Sequence, residues 1–188
     1  MTSIDDALNK MKPVFRAKEF IAALGGKREY AYVVLNRLKQ KGKIKNVKRW
    51  WWAKSGAAPE EIATGISYPC YLSFHSALHA HGLTTQFPRA VQLAVCRKAR
   101  KYAFAGGEAR EYRFEKKDFE GFEIREGIPI ATPEKAIADC LRFPRACPQA
   151  VLTEALEKVN VWEVKKMCNK RMLKRLKEVE SNAVARIA

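Results

Sequence analysis

Apolar residues in the first third of the chain recur with the spacing of helices. The first predicted helix spans residues 4–11, and the second begins near Ala17 and ends at Gly25-Gly26. A third predicted helix begins at Lys27 and ends before Gly42. Its apolar stripe follows the spacing i, i+3, i+4 and i+7 through Ala31, Val34, Leu35 and Leu38.

Two segments after the third helix are rich in residues that favour β-strands. They are Lys43–Val47 and Arg49–Trp52, and we predict that they form a hairpin. Strand alternation would put Trp50 and Trp52 on one face and Trp51 on the other. We expect at least one of these faces to pack on a protein core.

The order of two helices, a tight turn, a third helix and a basic hairpin is typical of a winged helix-turn-helix domain. We predict this domain for residues 1–55. The third helix of such a domain fits the major groove of double-stranded DNA, and the hairpin, called the wing, lies along the phosphates.

The predicted DNA contacts come from the polar face of the third helix and from the hairpin. Arg28 and Asn36 can make bidentate contacts to guanine and adenine. Tyr32 shares their face, and Lys27 and Tyr30 lie near the N-terminal end of the helix. The predicted phosphate contacts are Lys43, Lys45, Lys48 and Arg49.

The distribution of charge supports a polyanionic partner for this segment. The chain of 188 residues has a net charge of +16. Residues 1–55 hold 14 Lys and Arg against 4 Asp and Glu, a surplus of +10 in under a third of the chain. The small residues and breakers of Ser55–Pro59 indicate a linker, so we predict a domain boundary there.

We predict that residues 60–188 form a second domain that contains both helices and strands. A helix capped by Ser73 ends at Gly82, a buried strand follows at Val91–Val95, and a small sheet continues to residue 130. Thr132-Pro133 opens another helix, and residues 149–159 and 162–180 form two more. The fold class is therefore α+β: a winged helix-turn-helix domain, then a small mixed α/β domain with a helical C-terminal tail.

Two clusters in this second domain raise the question of metal binding or catalysis. The first cluster lacks the spacing of known metal motifs, and it consists of His75, His79 and His81 with Cys70. Glu134, Lys135 and Asp139 offer acid and base groups, but Thr132-Pro133-Glu134 also has the composition of an ordinary helix start. No phosphate loop, dinucleotide fingerprint or nucleophile motif is present. We expect no catalytic residue, no metal and no cofactor.

Localisation follows from the same sequence. The five cysteines are an odd number with no Cys-x-x-Cys pair, so we expect reduced thiols. No apolar run approaches the length of a membrane span, and the first residues lack the apolar segment of an export signal. We therefore expect a cytoplasmic protein.

The chain resembles the AbiEi family of antitoxins and transcriptional regulators, from abortive-infection toxin–antitoxin systems. Three stretches carry the resemblance: the predicted winged-helix core from Ala31 to Ile44, Leu72–Leu78 leading into Gly82–Pro88, and Ala131–Ala136 with Asp139. The resemblance implies a repressor that binds the operator DNA of its own operon through the winged helix. It also implies that the second domain neutralises a cognate nucleotidyltransferase toxin.

Two other functions remain open at this point. The same basic surface suits an RNA-binding protein, because A-form RNA also presents phosphates. A phosphotransferase that acts on the toxin would use Glu134, Lys135 or Asp139.

Overall fold

The computed structural model describes residues 3–187, with side chains described as far as Ser181. The chain is a mixed α/β protein that divides into two compact units. Unit 1 comprises Met1–Tyr68 and Tyr102–Glu108, and unit 2 comprises Pro69–Lys101 and Ala109–Ala188. In the described part of the chain, no helix is both long enough and apolar enough to cross a membrane.

Unit 1 combines four helices with a three-stranded antiparallel sheet, counted within the described residues. Its elements are α1 (Ile4–Asn9), β1 (Val14–Arg16), α2 (Ala17–Leu24), α3 (Arg28–Gln40), β2 (Ile44–Lys48), β3 (Trp51–Lys54) and α4 (Pro59–Ser67). The strand order is β1-β3-β2. Strand β1 was not predicted; it pairs with β3 so that Phe15 lies opposite Trp52.

The apolar stripe predicted for the third helix is confirmed. Its four members in α3 are buried, and they share one core with Phe15, Phe20 and Trp52. Helix α2 ends as predicted at Gly25, whose φ of 69° lies in the left-handed region that glycine adopts without strain. Helical periodicity therefore located the core of this unit correctly.

The hairpin of β2 and β3 differs from the prediction at its turn. Trp50 is not a strand residue, because β3 begins at Trp51 and a bulge shifts the register between Asn46 and Lys48. The predicted pairing of Trp50 with Trp52 on one face is therefore wrong. Trp52 is buried in the core, whereas Trp50 is 47% exposed.

The boundary between the two units lies after Tyr68 rather than at the predicted linker of Ser55–Pro59. Helix α4 belongs to unit 1 because its small residues pack on β1. A Cβ atom on Gly65 would lie only 2.6 Å from the Cβ of Val14, so the close approach requires glycine. The Tyr102 hydroxyl lies 2.6 Å from the Ser67 hydroxyl, within the same unit.

Unit 2 contains most of a six-stranded mixed sheet of order β6-β7-β5-β4-β9-β8. The strands of this sheet are β4 (Tyr71–Leu72), β5 (Val91–Val95), β6 (Lys101–Phe104), β7 (Gly107–Arg113), β8 (Phe122–Arg125) and β9 (Ile128–Ala131). All of β6 except Lys101 belongs to unit 1. The helices are α5 (Phe74–Ala80), α6 (Pro133–Arg142), α7 (Gln149–Leu156), α8 (Val161–Lys166) and α9 (Lys170–Ile187).

Two local predictions for unit 2 need correction. The Ser73 hydroxyl does not cap α5, because it donates to Asp139 instead, at 2.7 Å. The single helix predicted for residues 162–180 is two helices, α8 and α9. The break follows from Asn169, whose side-chain oxygen accepts a hydrogen bond from the Met172 amide and so starts a new helix.

Candidate nucleic-acid interface

The polar face of α3 is open to solvent, as the pattern of its apolar stripe requires. Arg28 and Asn36 are exposed, Tyr30 is 40% exposed, and Tyr32 is half-buried at the edge of the core. Lys27 is the exposed residue that precedes the first turn of the helix. The predicted helix contacts are therefore accessible to a partner.

Tyr32 links this helix face to the turn of the hairpin. The Arg28 guanidinium lies over the Tyr32 ring, 5.8 Å from its centroid. The Tyr32 ring meets the Trp50 ring at 6.3 Å between centroids, in an edge-to-face arrangement. The Arg49 guanidinium in turn lies 5.2 Å from the Trp50 centroid. We call these four residues, Arg28, Tyr32, Trp50 and Arg49, the stacked series.

Trp50 occupies this position in a strained backbone conformation. Its φ of 69° lies in the left-handed region, where a bulky residue is an outlier that costs on the order of 1–3 kcal/mol. The surrounding turn fixes it: the Asn46 side-chain amide donates to the carbonyls of Lys48 and Trp51, at 3.2 and 3.0 Å. The Trp50 carbonyl accepts a hydrogen bond from the Ala17 amide at 3.0 Å.

Each of the three lysines predicted to contact phosphates has a partner within the protein. Lys43 donates to Asp5 at 2.8 Å on the surface, and this hydrogen bond lowers the pKa of the Asp5 carboxyl. Lys45 donates to the carbonyl of Ala57 at 3.2 Å. The Lys48 ammonium lies 4.0 Å from the centroid of the Tyr102 ring. The partners of these lysines lie outside the stacked series, whereas the partner of Arg49 is Trp50.

Arg16 is a further cation at this hairpin, and it was absent from the predicted contacts. Its guanidinium lies 4.7 Å from the centroid of the Trp51 ring. Its backbone amide donates to the Glu19 carboxylate at 2.9 Å, which helps to start α2. Only the pairing of β1 with β3 brings Arg16 opposite Trp51, so no local sequence signal indicated it.

The acid and base groups of unit 2 form a closed network. Asp139 is 1% exposed and accepts hydrogen bonds from Ser73 at 2.7 Å, Tyr71 at 3.2 Å and Lys135 at 2.7 Å. Burial raises the pKa of Asp139, whereas its three donors act to lower it. Lys135 also donates to the carbonyl of Asp118, at 3.3 Å. Such an arrangement ties α6 to β4 and to the segment before β8.

Two of the three histidines are engaged with backbone carbonyls. His75 Nε2 lies 2.9 Å from the Gln86 oxygen, and His81 Nε2 lies 2.8 Å from the Ala131 oxygen. His79 packs against the ring of Phe87. Among residues 3–181, no three His, Cys, Asp or Glu side chains are grouped so that they could hold a metal ion.

Comparison with known proteins yields a likeness of fold. No family model and no curated protein matches this chain. The crystal structure of the RV2827C protein from Mycobacterium tuberculosis is similar, with a TM-score of 0.64 at 12% sequence identity. The match covers 96% of this chain and 75% of that chain. At this identity the likeness concerns the mixed α/β fold and does not bear on the AbiEi resemblance.

Proposed function

We propose that this protein is a transcriptional regulator that binds double-stranded DNA through α3 and the turn between β2 and β3. The observation that carries the proposal is the stacked series, which joins the exposed face of a basic helix to an adjacent hairpin. Arginine and aromatic side chains on one accessible surface are typical of nucleic-acid interfaces.

Unit 1 fits a winged helix in the order of its elements. In this interpretation α3 is the recognition helix and β2 with β3 is the wing, because α3 follows α2 after a short turn and precedes the hairpin. Arg28 and Asn36 then face base edges. Lys27 stands at the N-terminal end of α3, where the backbone amides also attract a phosphate.

The AbiEi resemblance extends the proposal to regulation. A protein of this type represses its own operon in the cytoplasm, and unit 2 binds a cognate nucleotidyltransferase toxin. The closed network around Asp139 favours this binding role over catalysis, because its carboxylate and the Lys135 ammonium are buried and already paired.

The experiment measures the binding of the full chain to labelled duplexes by fluorescence anisotropy. One duplex carries the region upstream of the protein's own gene, and the other carries the same bases in scrambled order. Arg28→Ala should weaken binding to the first by about 1–3 kcal/mol, the range of a bidentate base contact, and should weaken binding to the second much less. Arg145→Ala removes an exposed arginine of unit 2 and serves as the matched control.

Two results would contradict the proposal. Equal loss of affinity for both duplexes would exclude base readout by Arg28. Tighter binding of an RNA duplex of the same sequence would favour the RNA-binding alternative, since A-form RNA hides its base edges from α3.

A further inference from the structure

We propose that Arg49 contacts a guanine base rather than a phosphate, and that Arg28 and Arg49 form a pair of guanine-reading residues held by Tyr32 and Trp50. The inference rests on the proposed binding of duplex DNA and adds its sequence class. The preferred duplex carries a guanine at two separate positions, one for each guanidinium.

A contact with an aromatic ring leaves a guanidinium able to read a base. The ring attracts the positive charge of the group and does not take the place of the acceptors that its N–H donors bind. The Arg49 guanidinium lies 5.2 Å from the Trp50 centroid, and the Arg28 guanidinium lies 5.8 Å from the Tyr32 centroid. A forked pair of donors matches the O6 and N7 acceptors that guanine presents in the major groove.

The turn that carries Arg49 and Trp50 is held by hydrogen bonds to its backbone carbonyls. The Trp50 ring contacts Tyr32, which borders the buried core. A positioned side chain loses less conformational entropy on binding than a free one. A phosphate contact requires only a positive charge at the right distance. It therefore does not explain why a tryptophan occupies a strained conformation at this turn.

The contact with α3 favours the major groove for Arg49. Trp50 contacts Tyr32 at the edge of the exposed face of α3, so Arg49 extends the surface that enters the major groove in the proposed function. An arginine in the minor groove would instead favour narrow A·T-rich sequence. The base that the protein selects opposite Arg49 therefore shows whether this arginine lies in the major or the minor groove.

The test is a selection from a pool of random 20-base-pair duplexes with the full chain and its variants. The unaltered protein should select guanine at two positions. Arg49→Lys keeps the charge but replaces the planar fork with a single ammonium, so it should weaken the preference for guanine at one position only, and Arg28→Lys should weaken it at the other. Trp50→Ala should weaken the preference for guanine at both positions. Arg37→Lys, on an exposed arginine of α3 outside the stacked series, is the matched control.

The affinity for the selected duplex measures how much the Arg49 contact contributes to binding. Arg49→Lys should weaken it about 5- to 150-fold, the range of one bidentate arginine–guanine contact, with the salt dependence unchanged. Replacing the matching guanine by 7-deazaguanine, which lacks the N7 acceptor, should weaken binding of the unaltered protein similarly and weaken binding of Arg49→Lys much less.

Three outcomes overturn the inference. Arg49→Lys selects both guanines as strongly as the unaltered protein, the selected bases opposite Arg49 are A·T pairs, or 7-deazaguanine has no effect at either position. In each case duplex binding persists and the proposed function stands. If the unaltered chain binds no duplex at low salt, the proposed function itself fails, and this inference fails with it.

Discussion

Trp50 meets Tyr32 edge to face, with 6.3 Å between the ring centroids and 64° between the ring planes. This contact connects a hairpin turn to the middle of a helix face. Since each ring also contacts a guanidinium, one aromatic pair connects two cations. The stacked series therefore has a geometry that neither α3 nor the hairpin would give alone.

The strain at Trp50 predicts that stability and binding respond differently to substitution there. Trp50→Gly removes the ring and also the left-handed strain, whereas Trp50→Ala removes the ring and keeps the strain. We expect the glycine variant to be more stable than the alanine variant by about 1–2 kcal/mol in urea unfolding. Both variants should lose the same duplex affinity. Equal stability of the two would show that the turn relaxes once the ring is gone.

With the proposed binding of DNA, the contact of Asp5 with Lys43 predicts that this acidic side chain weakens the binding. Asp5→Asn frees the Lys43 ammonium, 2.8 Å away, for a phosphate. We expect tighter duplex binding and a slope of log affinity against log salt that is steeper by about one unit. Asp6→Asn, at an exposed neighbour, changes the net charge equally. If both variants gain the same slope, overall charge rather than Lys43 is responsible.

Much of unit 1 could be predicted from sequence because its signals are local. The stripe of α3 repeats with the helical period, and Gly25 ends α2 through a conformation that glycine favours. The face that holds Arg28 and Asn36 follows directly from that stripe. In unit 2, Thr132 caps α6 as predicted, with its hydroxyl 3.3 Å from the Lys135 amide.

What could not be predicted depends on distant residues. The strand alternation predicted for Trp50 was wrong because Trp50 has a positive φ, which is rare for tryptophan. No neighbouring residue in the sequence indicates this conformation. Lys43 donates to Asp5, which is 38 positions away in the chain. Ser73 donates to Asp139, at a separation of 66 positions. The stacked series was missed for the same reason, since it requires the fold to bring Tyr32 to the turn.

The buried pair of Lys135 and Asp139 predicts a large effect on stability. Lys135→Met leaves the Asp139 carboxylate buried without its cation, so the free energy of unfolding should fall by about 3–5 kcal/mol. Lys158→Met breaks another i,i+4 pair, with Glu154 on the surface, and should cost about 1 kcal/mol or less. Urea unfolding measures both. Similar losses in the two variants would mean that burial does not set the strength of the Lys135 pair.

His75 predicts a dependence of stability on pH. It is 6% exposed, and burial lowers its pKa below the ordinary value of 6.5. The folded state therefore binds fewer protons than the unfolded state near pH 6. The contribution of His75 to stability is fully present above pH 6.5 and is lost as the pH falls through the lowered pKa. We expect the free energy of unfolding to decrease between about pH 7 and pH 5.

A matched pair of variants assigns this decrease to His75. His75→Gln can still donate to the Gln86 carbonyl but does not titrate, so its stability should change less between these two pH values. His79→Gln, which removes the ring that packs on Phe87, should keep the full decrease. Asp5, Asp118 and Glu154 have lowered pKa values and act in more acidic solution, outside this window. A decrease that survives in His75→Gln would contradict the assignment.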